Sequence, residues 1–193
     1  MEINYLNLQK AAFEGVGAYD IPLLSPETFT DCELIGFNQA KTCKKRGNKA
    51  VHFFLYDYQF ERIWNRPDAY VDMLKQFKCI FSPDFSVYCD YRKHWIGAYM
   101  QINGISVIPT IGWSNEDSFE WCFDGEPKGS AVAVSSVGTQ KNKQAKELFM
   151  NGYKEMLERL EPTQILFYGK VPSEIKDDRV INMSAFQERF RKK

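Results

Sequence analysis

From residue 50 onward, short apolar runs alternate with stretches whose apolar residues recur at helical spacing. Residues 51–56 (Val-His-Phe-Phe-Leu-Tyr) form a nearly continuous run of β-formers and predict a buried strand closed by Asp57. Phe60, Ile63 and Trp64 follow at helical spacing. Pro67 suits the first turn of a second helix, with Asp68 at its positive end and Tyr70, Val71, Leu74 and Phe77 as its apolar stripe. Residues 79–81 predict a strand ending in Ser82-Pro83-Asp84, and Tyr91, Trp95, Tyr99 and Ile102 mark a helix that stops near Asn103-Gly104.

The alternation continues to the end of the chain. Residues 105–110 predict a strand with Pro109 near its end, and Ser114 with Asp117 resembles a capping box for a short helix through Phe119 and Trp121. Ala131-Val132-Ala133-Val134 is apolar on both faces, as a central parallel strand is. Leu148, Phe149, Tyr153, Met156, Leu157 and Leu160 share one face of a long helix ended by Pro162. Residues 164–168 and 180–183 predict two more strands, and residues 186–193 a terminal helix with basic residues at its C-terminal end. Residues 1–34 are punctuated by Gly15, Gly17, Pro22 and Pro26 and predict irregular structure; Ile35-Gly36-Phe37 can add a strand.

Such alternation predicts an α/β class with a mostly parallel sheet of about six strands and flanking helices. An open doubly wound sheet is the first expectation and a partial or distorted barrel the second. The expected organisation is one domain over residues 1–193, with an irregular segment, 1–50, packed on a regular βα core, 51–193.

Lys plus Arg and Asp plus Glu both number 25, so the formal net charge is zero. Proteins that coat nucleic acid or anionic membranes carry a positive excess, so bulk charge argues against both partners. Five positive residues do concentrate at Lys41, Lys44, Lys45, Arg46 and Lys49, which makes this loop the candidate nucleic-acid contact, against a solvated loop. The first residues carry no basic-then-apolar leader pattern and no apolar run is long enough to span a bilayer, so a cytoplasmic location is expected. The five cysteines show no Cys-x-x-Cys pair and the histidines are His52 and His94 alone. Reduced, buried thiols are therefore expected, with no cofactor and no metal motif.

Ligands of open parallel sheets bind beyond the carboxyl ends of the strands. The predicted strand ends deliver Asp57; Ser82, Asp84 and Ser86; Thr110, Trp113 and Ser114; Ser135, Ser136, Gly138 and Thr139; and Tyr168. Asp57 and Asp84 close consecutive strands and are the candidate catalytic pair, able to hold a divalent cation or to do acid–base work; each also fits a helix cap or turn. The turn Ser135-Ser136-Val137-Gly138-Thr139 can offer backbone N–H groups to a phosphate, or simply connect strand to helix. Tyr91, Trp95 and Tyr99 read as core and His52 as a satisfied core histidine, while Trp113 fits a ring lining a pocket.

Asp57-Tyr58-Gln59-Phe60-Glu61-Arg62, Ser82-Pro83-Asp84-Phe85-Ser86, Val107-Ile108-Pro109-Thr110 with Trp113, Phe123-Asp124-Gly125 before Lys128-Gly129-Ser130, and Tyr168-Gly169 stand in one order. From about Val51 to the C-terminus this resembles the domain-of-unknown-function family 4417 of bacteria, phages and other mobile elements. The resemblance implies an α/β domain and a phage or mobile-element accessory protein, in the host cytosol if phage-encoded. It also implies a longer segment after the Ser-Pro-Asp-Phe-Ser motif, whereas here Tyr88-Cys89-Asp90 runs straight into Tyr91-Arg92. A more open site is therefore expected.

Residues and resemblance together favour a protein of binding type, with a small-molecule site for a phosphorylated or nucleotide-like compound at the strand ends. The alternatives are an inhibitor of a host or competitor protein (an anti-defence role), a small metal-dependent phosphoryl or nucleotide enzyme using Asp57 and Asp84, and a nucleic-acid module acting through the basic loop.

Overall fold

The computed structural model describes residues 6–86 and 89–183. The terminal helix expected over 186–193 lies outside them. A two-residue hairpin, β1 (Gly15–Val16) and β2 (Ile21–Pro22), precedes β3 (Glu33–Gly36), the one-turn α1 (Phe37–Ala40) and β4 (Lys49–His52). Then come α2 (Arg62–Asn65), α3 (Asp68–Leu74), β5 (Cys79–Phe81), α4 (Asp90–Ile102), β6 (Val107–Ile108) and β7 (Thr110–Ile111). β8 (Ala131–Ser135), α5 (Lys143–Leu160), β9 (Gln164–Tyr168) and β10 (Val180–Met183) complete the order.

Two parallel four-stranded sheets result, β3-β4-β5-β6 and β7-β8-β9-β10, each in chain order. Only Pro109 separates β6 from β7, so the single strand expected over 105–110 is divided at the residue that has no N–H to give a ladder. The Pro109 carbonyl still accepts from Ala133 N–H at 2.7 Å, which carries the chain from one sheet into the next.

Strand alternation explains how the halves fit. Leu34, Ala50, Cys79, Phe81 and Ile108 of the first sheet share one apolar cluster with Ala131, Ala133, Leu166, Tyr168 and Met183 of the second. Their neighbours point the other way. Ile35, Val51, Ile80 and Val107 pack with Ile63, Trp64, Leu74, Trp95, Ile96 and Met100 of α2 to α4. Val132, Val134, Ile165 and Phe167 pack with Phe149, Tyr153, Met156 and Leu160 of α5. The two sheets thus curl around a common inner face and carry their helices outside. The α/β class and parallel sheet are as expected, and no closed barrel forms. The sequential order lacks the reversal that a doubly wound sheet needs, and matches the winding of a partial barrel. Phe29 of the N-terminal segment fills this inner face, its backbone clasped by Gln164 through bonds of 2.8 and 3.1 Å.

Two local expectations change. β4 ends at His52, so Asp57 does not close the strand but opens a 3-10 turn, Asp57–Gln59. The expected capping box is not made. The short helix is a 3-10 segment, Glu116–Glu120, preceded by Asn115, while Ser118 Oγ accepts from Ser114 N–H and Asn115 Nδ2 donates to Asp117. α5 ends as its sequence dictates, with Glu161 left-handed before Pro162.

Candidate ligand cavity at the strand ends

The loops leaving β4, β5, β7 and β8 meet at one cavity of about 670 Å³, closed on one side by the first turns of α5. That is the size of a small-molecule site. The first sheet sends Leu55, Asp57, Asp84, Phe85 and Ser86; the second sends Trp113, Ser114, Ser135, Gly138 and Thr139, with Leu148 and Phe149 from α5. Eight of the residues singled out from the sequence therefore face one space: Asp57, Asp84, Ser86, Trp113, Ser114, Ser135, Gly138 and Thr139.

β4 and β5 are hydrogen-bonded neighbours, which brings their two carboxylates to the same cavity. Asp57 Oδ2 accepts from Ser86 N–H at 3.5 Å, tying one exit loop to the other. Asp84 is partly buried. Desolvation first, and then the charge of Asp57, push its carboxyl up to about 7 against the opposing pull of Lys93. A carboxyl poised near neutrality can accept or give a proton there. On the apolar side, Trp113 lies 5.3 Å from Phe149, ring centre to ring centre. Gly152 makes that possible, since a Cβ on it would stand 2.3 Å from the indole nitrogen.

Four sequence candidates lie elsewhere. Ser82 and Thr110 are buried and bond each other's backbones at 2.8 and 2.9 Å, a clamp between β5 and β7. Ser136 Oγ donates to the Lys170 carbonyl at 2.7 Å. Tyr168 stacks on Phe54 and meets the His52 ring at a tilt, 4.7 Å from centre to centre, in the inner core. The phosphate-cradle reading of residues 135–139 also weakens. Val137 N–H turns to Ser135 Oγ and Thr139 N–H to the Ser136 carbonyl, while α5 starts only at Lys143 and is capped by Asn142 on Ala145 N–H.

The family model of a domain of unknown function, DUF4417, matches residues 13–187. The chain belongs to the DUF4417 family. Its match begins well before Val51, where the sequence motifs alone start. The chain is 40% identical over 183 residues to the Gene 1 protein of Mycobacterium phage L5, covering 88% of this chain and 79% of that protein. To the Gene 1 protein of Mycobacterium phage D29 it is 36% identical over 182 residues, covering 88% and 67%. No solved structure matches it.

Within this DUF4417 chain, the motif stretches divide by role. Asp57, Asp84 to Ser86 and Trp113 face the cavity. Phe123-Asp124-Gly125 is architectural: Gly125 has φ +73°, and a Cβ on it would stand 2.6 Å from the Pro22 carbonyl oxygen and 2.9 Å from the His94 ring.

Beneath the cavity lies a group of charges that sequence reasoning missed. Lys93 Nζ is 2.8 Å from Asp90 Oδ1 and 2.7 Å from Glu126 Oε1, and donates to the Thr110 carbonyl at 3.1 Å. His94 Nε2 is 3.2 Å from Glu126 Oε1, and its Nδ1 is 3.0 Å from the Asp90 carbonyl oxygen. All four side chains are buried. Burial alone would lower the Lys93 pKa; Asp90 and Glu126 more than offset it and hold the ammonium above the usual lysine range. Burial likewise works to raise Glu126, and Lys93 and His94 hold it below the usual carboxylate range. The legible signal is Asp90-x-x-Lys93-His94, three positions on one helix face; Glu126 is distant in sequence.

The basic loop precedes β4 and so stands at the opposite ends of the strands from the cavity. Lys49 pairs with Glu33 across β3 and β4. Arg46 donates to the Cys43 and Lys41 carbonyls and to Gln76, and lies over the Phe77 ring. Lys41, Lys44 and Lys45 are the members left exposed without such ties. Among the described residues, no group of three or more His, Cys, Asp or Glu could hold a metal ion, and no helix is long and apolar enough to cross a membrane.

Proposed function

We propose that this chain is a phage or mobile-element accessory protein of binding type, whose molecular task is to hold a small molecule in the strand-end cavity. One observation carries the reading: two carboxylates from the first sheet and two rings from the second sheet and α5 face a single space of about 670 Å³. A polar head and a planar or apolar body are both provided for. A phosphorylated or nucleotide-like ligand fits the rings, but no Lys or Arg is among the described lining residues, so its phosphate needs a cation between it and Asp57 and Asp84. Mass spectrometry on molecules released by denaturing the purified protein is the test. A retained compound supports the reading, and an empty protein that no small molecule stabilises sinks it. Asp84→Ala is expected to abolish ligand-induced thermal stabilisation.

A second reading, inhibition of a host or competitor protein by contact, is favoured by Tyr56 and Tyr58. They flank Asp57, are 74% and 75% exposed, and stack on each other with centroids 6.0 Å apart. Exposed aromatics are enriched at interface hot spots. Pull-down from host lysate should lose its partner with the Tyr56→Ser, Tyr58→Ser double variant; an unchanged partner set removes these tyrosines from the interface.

A further inference from the structure

Asp84 has no hydrogen-bond or ion-pair partner among the described residues, although its carboxyl is partly buried in the cavity wall. Lys93, whose charge acts on it, has no proton to spare, because its three N–H directions are taken by Asp90, Glu126 and the Thr110 carbonyl. Asp57 is partly satisfied by Ser86 N–H. Among the described residues, the cavity thus presents an acceptor without a donor, beside a second carboxylate, with no cationic side chain in its lining. Leaving such a group unmet is costly, and a donor that arrives with a ligand recovers that cost. The remaining wall, Leu148, Phe149, Trp113 and Val137, suits an apolar or aromatic body.

We infer that the cavity selects a small organic cation, an amidinium, guanidinium or protonated amine, with its head on Asp84 and Asp57 and its body against Trp113 and Phe149. This rests on the small-molecule reading above and narrows the charge of the ligand. An N–H fork matches a carboxylate in geometry as well as charge, whereas an anion of equal size meets two like charges.

The pH dependence follows from the groups around Asp84. Asp57 from the β4 exit disfavours its ionisation, Lys93 from α4 favours it, and desolvation places the carboxyl at about 7. A cation binds the ionised form, so its binding expels a proton below neutrality.

The test is calorimetric titration of the full chain with three probes of one shape: benzamidine, benzamide and benzoate, at pH 6 and pH 8. Benzamidine is expected to bind at least about tenfold more tightly than benzamide, with benzoate giving no binding. Its affinity should rise roughly tenfold from pH 6 to pH 8, with proton release at pH 6 visible as buffer-dependent heat. Asp84→Asn, which removes a costly charge and is expected to fold, should lose both the preference and the pH dependence. If benzamide or benzoate binds as well as benzamidine, the cation inference is overturned and the small-molecule reading stands. If none of the three binds at millimolar concentration, the cation inference is overturned, and the small-molecule reading is decided separately by the mass spectrometry of released molecules.

Discussion

Lys93 Nζ lies 2.7 Å from Glu126 Oε1, and neither side chain reaches solvent. The ammonium joins α4 to the start of β7 and to the loop that follows the 3-10 helix, so it fixes the backbone from which Gly112 and Trp113 enter the cavity. Replacing one member of a buried pair strands the other charge. Lys93→Met is expected to cost about 3–5 kcal/mol in chemical denaturation. The Lys93→Met, Glu126→Gln double variant should recover part of that loss, because the stranded carboxylate is gone. Strict additivity of the two single changes would contradict the coupling.

Asp84 works in the opposite sense. Its folded pKa of about 7 lies above its ordinary value of 3.8, so its ionisation costs stability. The neutral carboxyl carries no penalty below the ordinary value. The penalty grows as pH rises through the window up to the folded pKa, and is complete above it. Asp84→Asn should therefore match the parent at low pH and be more stable at pH 8. The gain is on the order of 1–3 kcal/mol, less than the roughly 4 kcal/mol of the whole shift, because the carboxyl is only partly buried. Glu126 runs the other way: its contribution is present above 4.5 and is lost as pH falls through its lowered folded value. Melting temperatures of both variants should approach the parent's at low pH and depart from it as pH rises, Asp84→Asn upward and Glu126→Gln downward; curves parallel to the parent's would refute both assignments.

Much of this site was legible because strand ends are marked in the chain. Asp84 after Cys79-Ile80-Phe81 and Trp113 after the Pro109 break follow apolar runs that parallel pairing aligns at one rim. Residues that merely stand near a strand end are not sorted by that logic. Ser82 is tied to Thr110 by two hydrogen bonds and Tyr168 packs into the inner apolar cluster, so what each side chain meets in the fold, and not its distance from the strand end, keeps it out of the cavity. Strand order was equally hidden. βα alternation is the same for a doubly wound and a singly wound sheet, and the deciding feature is that Ala50, Ala131 and Ala133 all serve one inner face. Lys93 and His94 have only Asp90 as a partner nearby in sequence; Glu126, which completes the group, comes from a loop that only the folded chain brings near.

Gly152 and Trp113 offer a test of the apolar wall. An alanine methyl at 152 would overlap the indole at 2.3 to 2.5 Å, and in a helix the substitution would otherwise be favourable by about 1 kcal/mol. Overpacking should outweigh that gain, for a net loss of about 1–2 kcal/mol. The displaced indole should change the near-ultraviolet circular dichroism and the affinity of any cavity ligand. A stabilised protein with an unchanged spectrum would show that Trp113 does not lean on α5.

The basic loop separates into structural and solvated charges, and mutation should show the division. Arg46 holds two carbonyls and Gln76 while covering Phe77, so Arg46→Ala is expected to cost about 1–2 kcal/mol. Exposed Lys41, Lys44 and Lys45 changed together to Glu should alter stability by no more than about 0.5 kcal/mol. Three lysines on one loop of a neutral chain give a weak, salt-sensitive hold on phosphates, so the parent should not retard duplex DNA at about 0.15 M salt. Retardation by the parent that disappears in the triple variant would restore this loop as a nucleic-acid contact, acting at the far end of the strands from the cavity.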